Sequence, residues 1–220
     1  KIENSKNINE LEISILACYV PLYKSKKIKE KLQNYSSKNI LLNDLIKIQI
    51  RDYIEEQKLK TKIKSFEISN KTSKLVRSQY EENPYPRWRY ADTNPKTNFL
   101  FELNSDISPN KILLKNDITN PKILIAGCGT GQQLSRRINY KGSSVLAVDL
   151  SLSSLAFAKR KMQELNINNI EFLHLDLLKL ENLKQKFDII ECMGVLHHLE
   201  NPELGLNVLL NILKPSGFLK

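Results

Sequence analysis

Apolar residues follow two rhythms along this chain. Up to residue 75 they recur at helical spacing, and no glycine interrupts them. Residues 11–19 form a mostly apolar segment ended by Pro21, whose fixed φ and missing N–H stop a helix. Leu42, Ile46, Ile50 and Ile54 recur every four positions, with Leu45 and Tyr53 beside them and Lys and Glu opposite. That spacing predicts a helix over 41–64 with one apolar face, and residues 1–75 read as a helical lobe. From residue 122 the rhythm changes. Short apolar runs at 122–126, 144–148, 169–174 and 187–191 read as strands. Helical patterns lie between them. One covers 132–140, with Leu134 and Ile138 on one face. Another covers 153–165, where Leu155, Ala158, Met162 and Leu165 are three or four apart and Ser151 or Ser153 caps the start. Asn201-Pro-Glu203 begins a further helix, with Asn as cap and Pro in the first turn. Leu204, Val208, Leu209 and Ile212 form its apolar face. Lys214-Pro-Ser-Gly217 reads as a turn, and residues 218–220 as the opening of a fifth strand.

Strands alternating with helices predict an α/β fold, a mostly parallel sheet with helices on both faces. Ligands bind such sheets beyond the carboxyl ends of the strands. Residues 76–121 have a different texture and read as a connector. Gln79-Tyr-Glu-Glu-Asn-Pro-Tyr-Pro-Arg-Trp-Arg-Tyr90 holds the only Trp, and Pro95, Pro109 and Pro121 follow. Pro84 and Pro86 push the residues before them toward extended backbone. Two readings stand for this stretch. It is either a lid, with Tyr85 and Trp88 over a substrate and Arg87 or Arg89 meeting an acid, or a Pro-aromatic clasp that packs the front lobe onto the sheet.

Composition narrows the classes. With 41% hydrophobic and 26% charged residues in 220, the chain has ordinary globular make-up and can bury a core. No apolar run approaches the roughly eighteen residues that cross a bilayer, and the polar start carries no signal peptide. Cys18, Cys128 and Cys192 are odd in number and far apart, so neither a disulfide framework nor a zinc site is expected. These features point to a cytoplasmic protein with reduced thiols and no metal. The net charge is +10, and its excess sits in residues 1–75, with 16 Lys/Arg against 9 Asp/Glu. It is not interleaved with aromatic residues that would stack on bases, so no nucleic-acid site is assigned. A first residue of Lys rather than Met suggests a fragment or a processed product.

The chemistry lies at the strand ends. The first strand runs into Gly127-Cys-Gly-Thr-Gly131, where glycines admit unusual dihedrals and close approach of a ligand. The N–H groups at the following helix start attract a negative group. Dinucleotide enzymes use G-x-G-x-x-G, but here the third glycine comes one residue early and Gln132 stands in its place, which disfavours an NAD-type dehydrogenase. The second strand ends at Asp149, followed by Leu150; a carboxylate there can accept both hydroxyls of a ribose. The third ends in His174-Leu-Asp176, where the Asp can accept from an adenine amino group with Leu175 or Leu177 against the ring. The fourth ends in Glu191-Cys-Met-Gly-Val-Leu-His-His198. Glu191 either orients a substrate or faces solvent. His197 and His198 either include a general base or fix the next helix start.

Together these segments resemble the class I S-adenosylmethionine (SAM)-dependent methyltransferases. The resemblance rests on residues 123–131, Val145-Leu-Ala-Val-Asp-Leu-Ser151, Phe172-Leu-His-Leu-Asp176, residues 187–202 and Leu213-Lys-Pro-Ser-Gly217. It implies a Rossmann-like fold and a methyl transfer from SAM to an acceptor, small molecule or protein. Gly127, Gly129 and Gly131 would pack on the methionine half of SAM, and Cys128, Thr130 and Gln132 would also bind the cofactor. Asp149 and Leu150 would meet the ribose, Asp176 and Leu177 the adenine, and Glu191 would line the same site; Glu191 and His197 are the catalytic candidates. Cys18-Tyr-Val-Pro-Leu-Tyr23, residues 79–88 and residues 151–161 further resemble a bacterial subgroup whose methyltransferase domain often follows tetratricopeptide repeats. No repeat lies within this sequence. DNA adenine and protein glutamine methyltransferases usually carry Asn/Asp-Pro-Pro-Tyr after strand four, and Glu191-Cys-Met-Gly194 departs from it. The family also continues beyond strand five, so residues 122–220 are expected to be an incomplete domain lacking its C-terminal strands. The alternative expectation is therefore a truncated, inactive remnant that keeps the SAM-binding half.

Overall fold

The computed structural model describes residues 7–91, 99–113, 118, 120–137 and 142–220. Pro95 and Ile138, named above, and residue 140 at the end of the helix read over 132–140, lie outside the described residues. The chain divides into two compact units, Lys1–Lys58 and Leu59–Lys220.

The first unit is helical. Helix α1 spans Glu10–Tyr19, α2 Lys26–Leu32 and α3 Ile40–Ile46, and each starts at a side-chain cap: Asn9, Ser25 and Asn39 accept from N–H groups of their own first turns. A π turn over Lys47–Arg51 joins α3 to α4, Asp52–Lys60. The four-residue spacing read from the sequence accounts for it. Four residues of α-helix advance about 40° beyond a full turn, so residues 42, 46 and 50 would drift off one face. The wider π turn takes up the drift, and Leu42, Ile46 and Ile50 are all buried with Ile13, Leu22, Ile28 and Leu32.

Two expectations change at this end. The helix stops at Lys60 rather than 64, and the boundary between units lies at 58 rather than 75. The reason is that Leu59 and Ile63 are buried in the second unit's core, and Lys64-Ser65 forms a strand, β1, of its sheet. A strand of two polar residues carries no hydrophobic signature.

The second unit is an α/β sandwich. Helix α5, Lys71–Glu82, and α6, Phe99–Asp106, occupy much of the stretch read as a connector. Then come β2 (Lys122–Ala126), α7 (Leu134–Arg137), β3 (Ser144–Asp149), α8 (Leu152–Glu164), β4 (Ile170–His174), β5 (Phe187–Glu191), α9 (Pro202–Asn211) and β6 (Leu213–Leu219). The sheet order is β1-β4-β3-β2-β5-β6, and every pairing is parallel. Alternate residues serve two cores. Ile123, Ile125, Val145, Ala147, Phe172 and Ile189 face α8. Leu124, Leu146, Val148, Leu173 and Ile190 face α9 and the 3-10 turns over Leu177–Leu183. Burial on both faces explains the near-continuous apolar runs.

The element starts follow the sequence closely. Ser151 caps α8 by accepting from Ser154 N–H, and Asn201 caps α9 by accepting from Leu204 N–H. The C-terminal reading changes. Lys214–Gly217 is not a turn before a strand but lies inside β6. Leu213 pairs with Phe187 and Phe218 with Ile189, so β6 spends five steps where β5 spends two, and the excess forms a bulge. Lys214 at its start pairs with Asp188 at 2.8 Å. Among the described residues, no helix is long and apolar enough to cross a membrane.

Candidate functional site

Chain direction across the sheet reverses beside β2: β3 and β4 build to one side, β5 and β6 to the other. Carboxyl-terminal loops diverge at such a point and leave a crevice. There the second unit holds a cavity of about 500 Å³, within the range of small-molecule sites.

Its floor is the loop after β2. Gly127, Cys128, Gly129, Thr130 and Gln132 line the cavity, and Gly131 does not. The glycines have separate duties. At Gly127 φ is +73°, and a Cβ would lie 2.2 Å from Val195. At Gly131 a Cβ would lie 2.7 Å from Ala158 of α8, so this glycine lets helix and loop pack. At Gly129 φ is +52° and, its chain neighbours aside, no atom of the described residues comes within 4 Å of a Cβ. That space belongs to the cavity.

Asp149, Leu150, Asp176 and Leu177 all line the cavity. Asp149 at the end of β3 accepts from Gly129 N–H at 2.7 Å through one oxygen and from Ser151 N–H at 2.8 Å through the other. A carboxylate can accept about four hydrogen bonds, so both oxygens keep capacity toward a ligand. Burial raises its pKa, against the opposing pull of these N–H groups. Asp176 after β4 is 1% exposed. Its Oδ1 accepts from Leu178 N–H at 3.0 Å, and its Oδ2 has no protein partner among the described residues. A buried acceptor at a cavity wall without a protein donor calls for one from a ligand.

The loop after β5 divides the candidates there. Met193, Gly194, Val195, His198 and Leu199 line the cavity, while Glu191 and His197 do not. Glu191 is 2% exposed and, by alternation, shares the α8-facing side of β5 with Ile189, so it does not face solvent. His197 stands beside His198, with ring centroids 4.1 Å apart, but only His198 reaches the cavity.

The opposite wall comes from α5, which sequence reasoning did not assign to the site. Ser73, Val76 and Tyr80 line the cavity, and Tyr80 meets His198 edge-on at 6.2 Å. Spacings of three and four put these residues on one helical face, a signal present in the sequence. The Pro-aromatic stretch divides between cavity and core. Tyr85 and Pro86 line the cavity. Trp88 is buried instead: its Nε1–H donates to Thr130 O at 2.9 Å, its ring meets Phe157 edge-on, and Thr130 Oγ1 donates to Pro86 O at 2.7 Å. Arg87 lies over the Phe157 ring, the Arg89 carbonyl accepts from Lys161, and neither arginine lines the cavity. Among the described residues no cluster of His, Cys, Asp or Glu is arranged to hold a metal.

Residues 123–217 match the family model described as "Methyltransferase domain". Among curated proteins, an uncharacterised protein of Synechococcus sp. is 41% identical over 101 residues, covering 45% of this chain and 24% of that protein. An uncharacterised protein of Rickettsia prowazekii is 32% identical over 154 residues, covering 67% of this chain and 56% of that protein. The chain thus spans from about a quarter to just over half the length of these relatives. Among solved structures, PKMT2 from Rickettsia typhi in complex with AdoHcy is 32% identical, with a TM-score of 0.45, covering 62% of this chain and 26% of that one. Residues 123–217 thus match a methyltransferase domain and lie on a Rossmann-like α/β fold.

Proposed function

We propose that this domain moves the methyl group of SAM to an acceptor that enters between α5 and the loop after β5. The observation that carries the reading is the convergence of three features on one cavity: the open space at Gly129, the carboxylate of Asp149 and the buried, unpartnered Oδ2 of Asp176. The residues fit SAM. The loop over residues 127–132 would hold the methionine end, with Gly131 supporting it from behind through α8. Asp149 would accept from the ribose hydroxyls, beside Leu150. Asp176 Oδ2 would accept from the adenine amino group, with Leu177 against the ring.

Bound SAM supplies an activated methyl group on a sulfonium, so the protein's main task is alignment, which can be worth about 7–11 kcal/mol. Gly194, Val195, Leu199 and Tyr80 would shape the acceptor's approach and exclude water. His198, the imidazole that lines the cavity, is better placed than His197 to take a proton from an acceptor. Glu191, buried behind the loop, would hold that loop in place rather than touch the acceptor.

The test is transfer of tritium from methyl-labelled SAM into the macromolecular and small-molecule fractions of a cell extract, compared with Asp149→Ala. Incorporation by the wild type that falls at least tenfold in the variant supports the reading. Equal incorporation by both, or none by a wild type that binds S-adenosylhomocysteine (SAH), contradicts methyl transfer by this chain.

A further inference from the structure

One carboxylate outside the cofactor assignment is more densely bonded than cofactor contact explains. Glu81, near the end of α5, does not line the cavity. Its Oε2 accepts from Ser153 N–H at 2.9 Å and lies 3.0 Å from Ser151 Oγ. Its Oε1 accepts from Ser153 Oγ at 2.8 Å and from Lys60 Nζ at 2.9 Å. Lys60 also reaches Ser153 Oγ at 2.6 Å, and Ser153 Oγ lies 2.8 Å from the Glu81 carbonyl. The carboxylate therefore sits at the amino end of α8, where unpaired N–H groups and the helix dipole favour negative charge.

What Glu81 connects is more informative than what it touches. Ser151, its neighbour on one side, donates its N–H to Asp149 Oδ1 at 2.8 Å, and Asp149 is the proposed ribose acceptor. On the other side Glu81 is the next residue after Tyr80, whose side chain lines the acceptor end and whose carbonyl lies 3.0 Å from Ser151 Oγ. A second link runs from the same turn: His174 Nε2–H donates to the Leu150 carbonyl at 2.9 Å. The ribose-binding turn is thus held from below by the sheet and from the side by α5. Three successive turns of α5, through Ser73, Val76 and Tyr80, form one wall of the cavity.

We propose that Glu81 is a positioning residue that joins the cofactor end of the cavity to its acceptor wall, so that filling the SAM site and seating α5 are one equilibrium. The inference rests on the SAM reading above. A ligand shifts a conformational equilibrium only through a difference in its affinity for the two states, and the Glu81–Ser151–Asp149 chain supplies that difference. With α5 seated, the turn carrying Asp149 is fixed before SAM arrives. With α5 released, the turn loses one of its two supports. Linkage makes the effect reciprocal: bound SAM must hold α5 more firmly.

The test uses the chain as it exists, with SAH as the probe, and reads affinity by titration calorimetry and local order by amide hydrogen exchange. In the wild type, SAH slows exchange in residues 71–82 as well as in the loop over 127–132. In Glu81→Gln, SAH affinity falls by roughly five- to a hundredfold, the span typical of couplings between sites. Protection of the 127–132 loop persists at saturating SAH, while the added protection of 71–82 is lost. A purely structural role would lower thermal stability and leave the SAH-induced protection of α5 intact, which overturns the proposal. Ser153→Ala keeps the carboxylate and removes one hydroxyl; it shows the same changes to a smaller degree, and wild-type affinity with wild-type protection there overturns the proposal even if Glu81→Gln does not fold. Failure of the wild type to bind SAH overturns the SAM reading and this inference with it. SAH binding with no effect on α5 overturns this inference alone.

Discussion

Individual residues around the cavity separate fold from ligand. Gly127 and Gly129 share a positive φ, yet only Gly127 has protein at its Cβ position. Gly127→Ala therefore meets both backbone strain and Val195, and is expected to cost about 2 kcal/mol or more of stability in denaturant melts. Gly129→Ala meets strain alone, about 1 kcal/mol, but its methyl enters the cavity; SAH affinity should fall by more than stability does. Equal stability losses in the two variants would show that the loop relaxes around either methyl group. Asp176 offers a sharper separation. In Asp176→Asn the amide oxygen keeps Leu178 N–H and the NH2 group replaces the unpartnered Oδ2. Replacing a buried oxygen that lacks a protein donor leaves stability unchanged or higher, while a donor would now face the adenine amino group of the proposed complex. SAH binding is expected to weaken at least tenfold with no drop in melting temperature. A parallel loss of both would reduce Asp176 to a cap of the Leu177–Leu183 turns.

The position of both carboxylates at the cavity is legible in the sequence, because they lie where strands end. Asp149 and Asp176 follow apolar runs whose ends are easy to mark. His198 and Glu191 were harder. Which residue of a loop or strand end faces a cavity depends on local path and on alternation relative to the sheet, and neither can be read without the register of β5.

At the scale of elements, the contact between α5 and α8 is where charge and structure meet. Burial alone would raise the Glu81 pKa, but Lys60 and Ser153 together hold it down to about 2. A carboxylate depressed in the folded state stabilises the fold at pH values above the ordinary glutamate range, and that contribution is lost as pH falls through its folded value. Melting temperatures of the wild type and Glu81→Gln should therefore differ most near neutrality and converge as pH falls from the ordinary glutamate range toward 2. A gap that stays constant over this range would mean that the charge of Glu81 contributes nothing.

Elements were legible to the degree that they bury a face. The four strands β2 to β5 and helices α8 and α9 announce themselves by periodicity and caps. The edge strand β1 does not, since it has two polar residues paired on one side only. Its neighbour α5 presents a face of mixed polarity, Ser73, Val76 and Tyr80, because that face borders a cavity rather than a core. The β6 bulge is hidden for another reason: Lys-Pro-Ser-Gly is turn chemistry, and a bulge uses the same residues.

At the scale of the whole molecule, the parallel order of the sheet and the reversal beside β2 place the cavity. Four loops and one helix then supply a floor, two carboxylates and two walls. The division of the chain was legible only in part, because a long helix with an apolar face over 41–64 gives no sign that Leu59 belongs to a different core from Ile50. A ligand that binds this arrangement stabilises the fold by mass action, by about 2.7 kcal/mol at a hundredfold excess over Kd. SAH, but not NAD, should raise the melting temperature.

The most direct measurement is calorimetric titration of the folded chain with SAH, in parallel with Asp149→Ala. Saturable binding of one SAH per chain is expected, weakened by about ten- to a hundredfold in the variant, or roughly 1.4–2.8 kcal/mol. No heat on a chain shown to be folded, or equal affinity in the variant, would contradict the cofactor site described here.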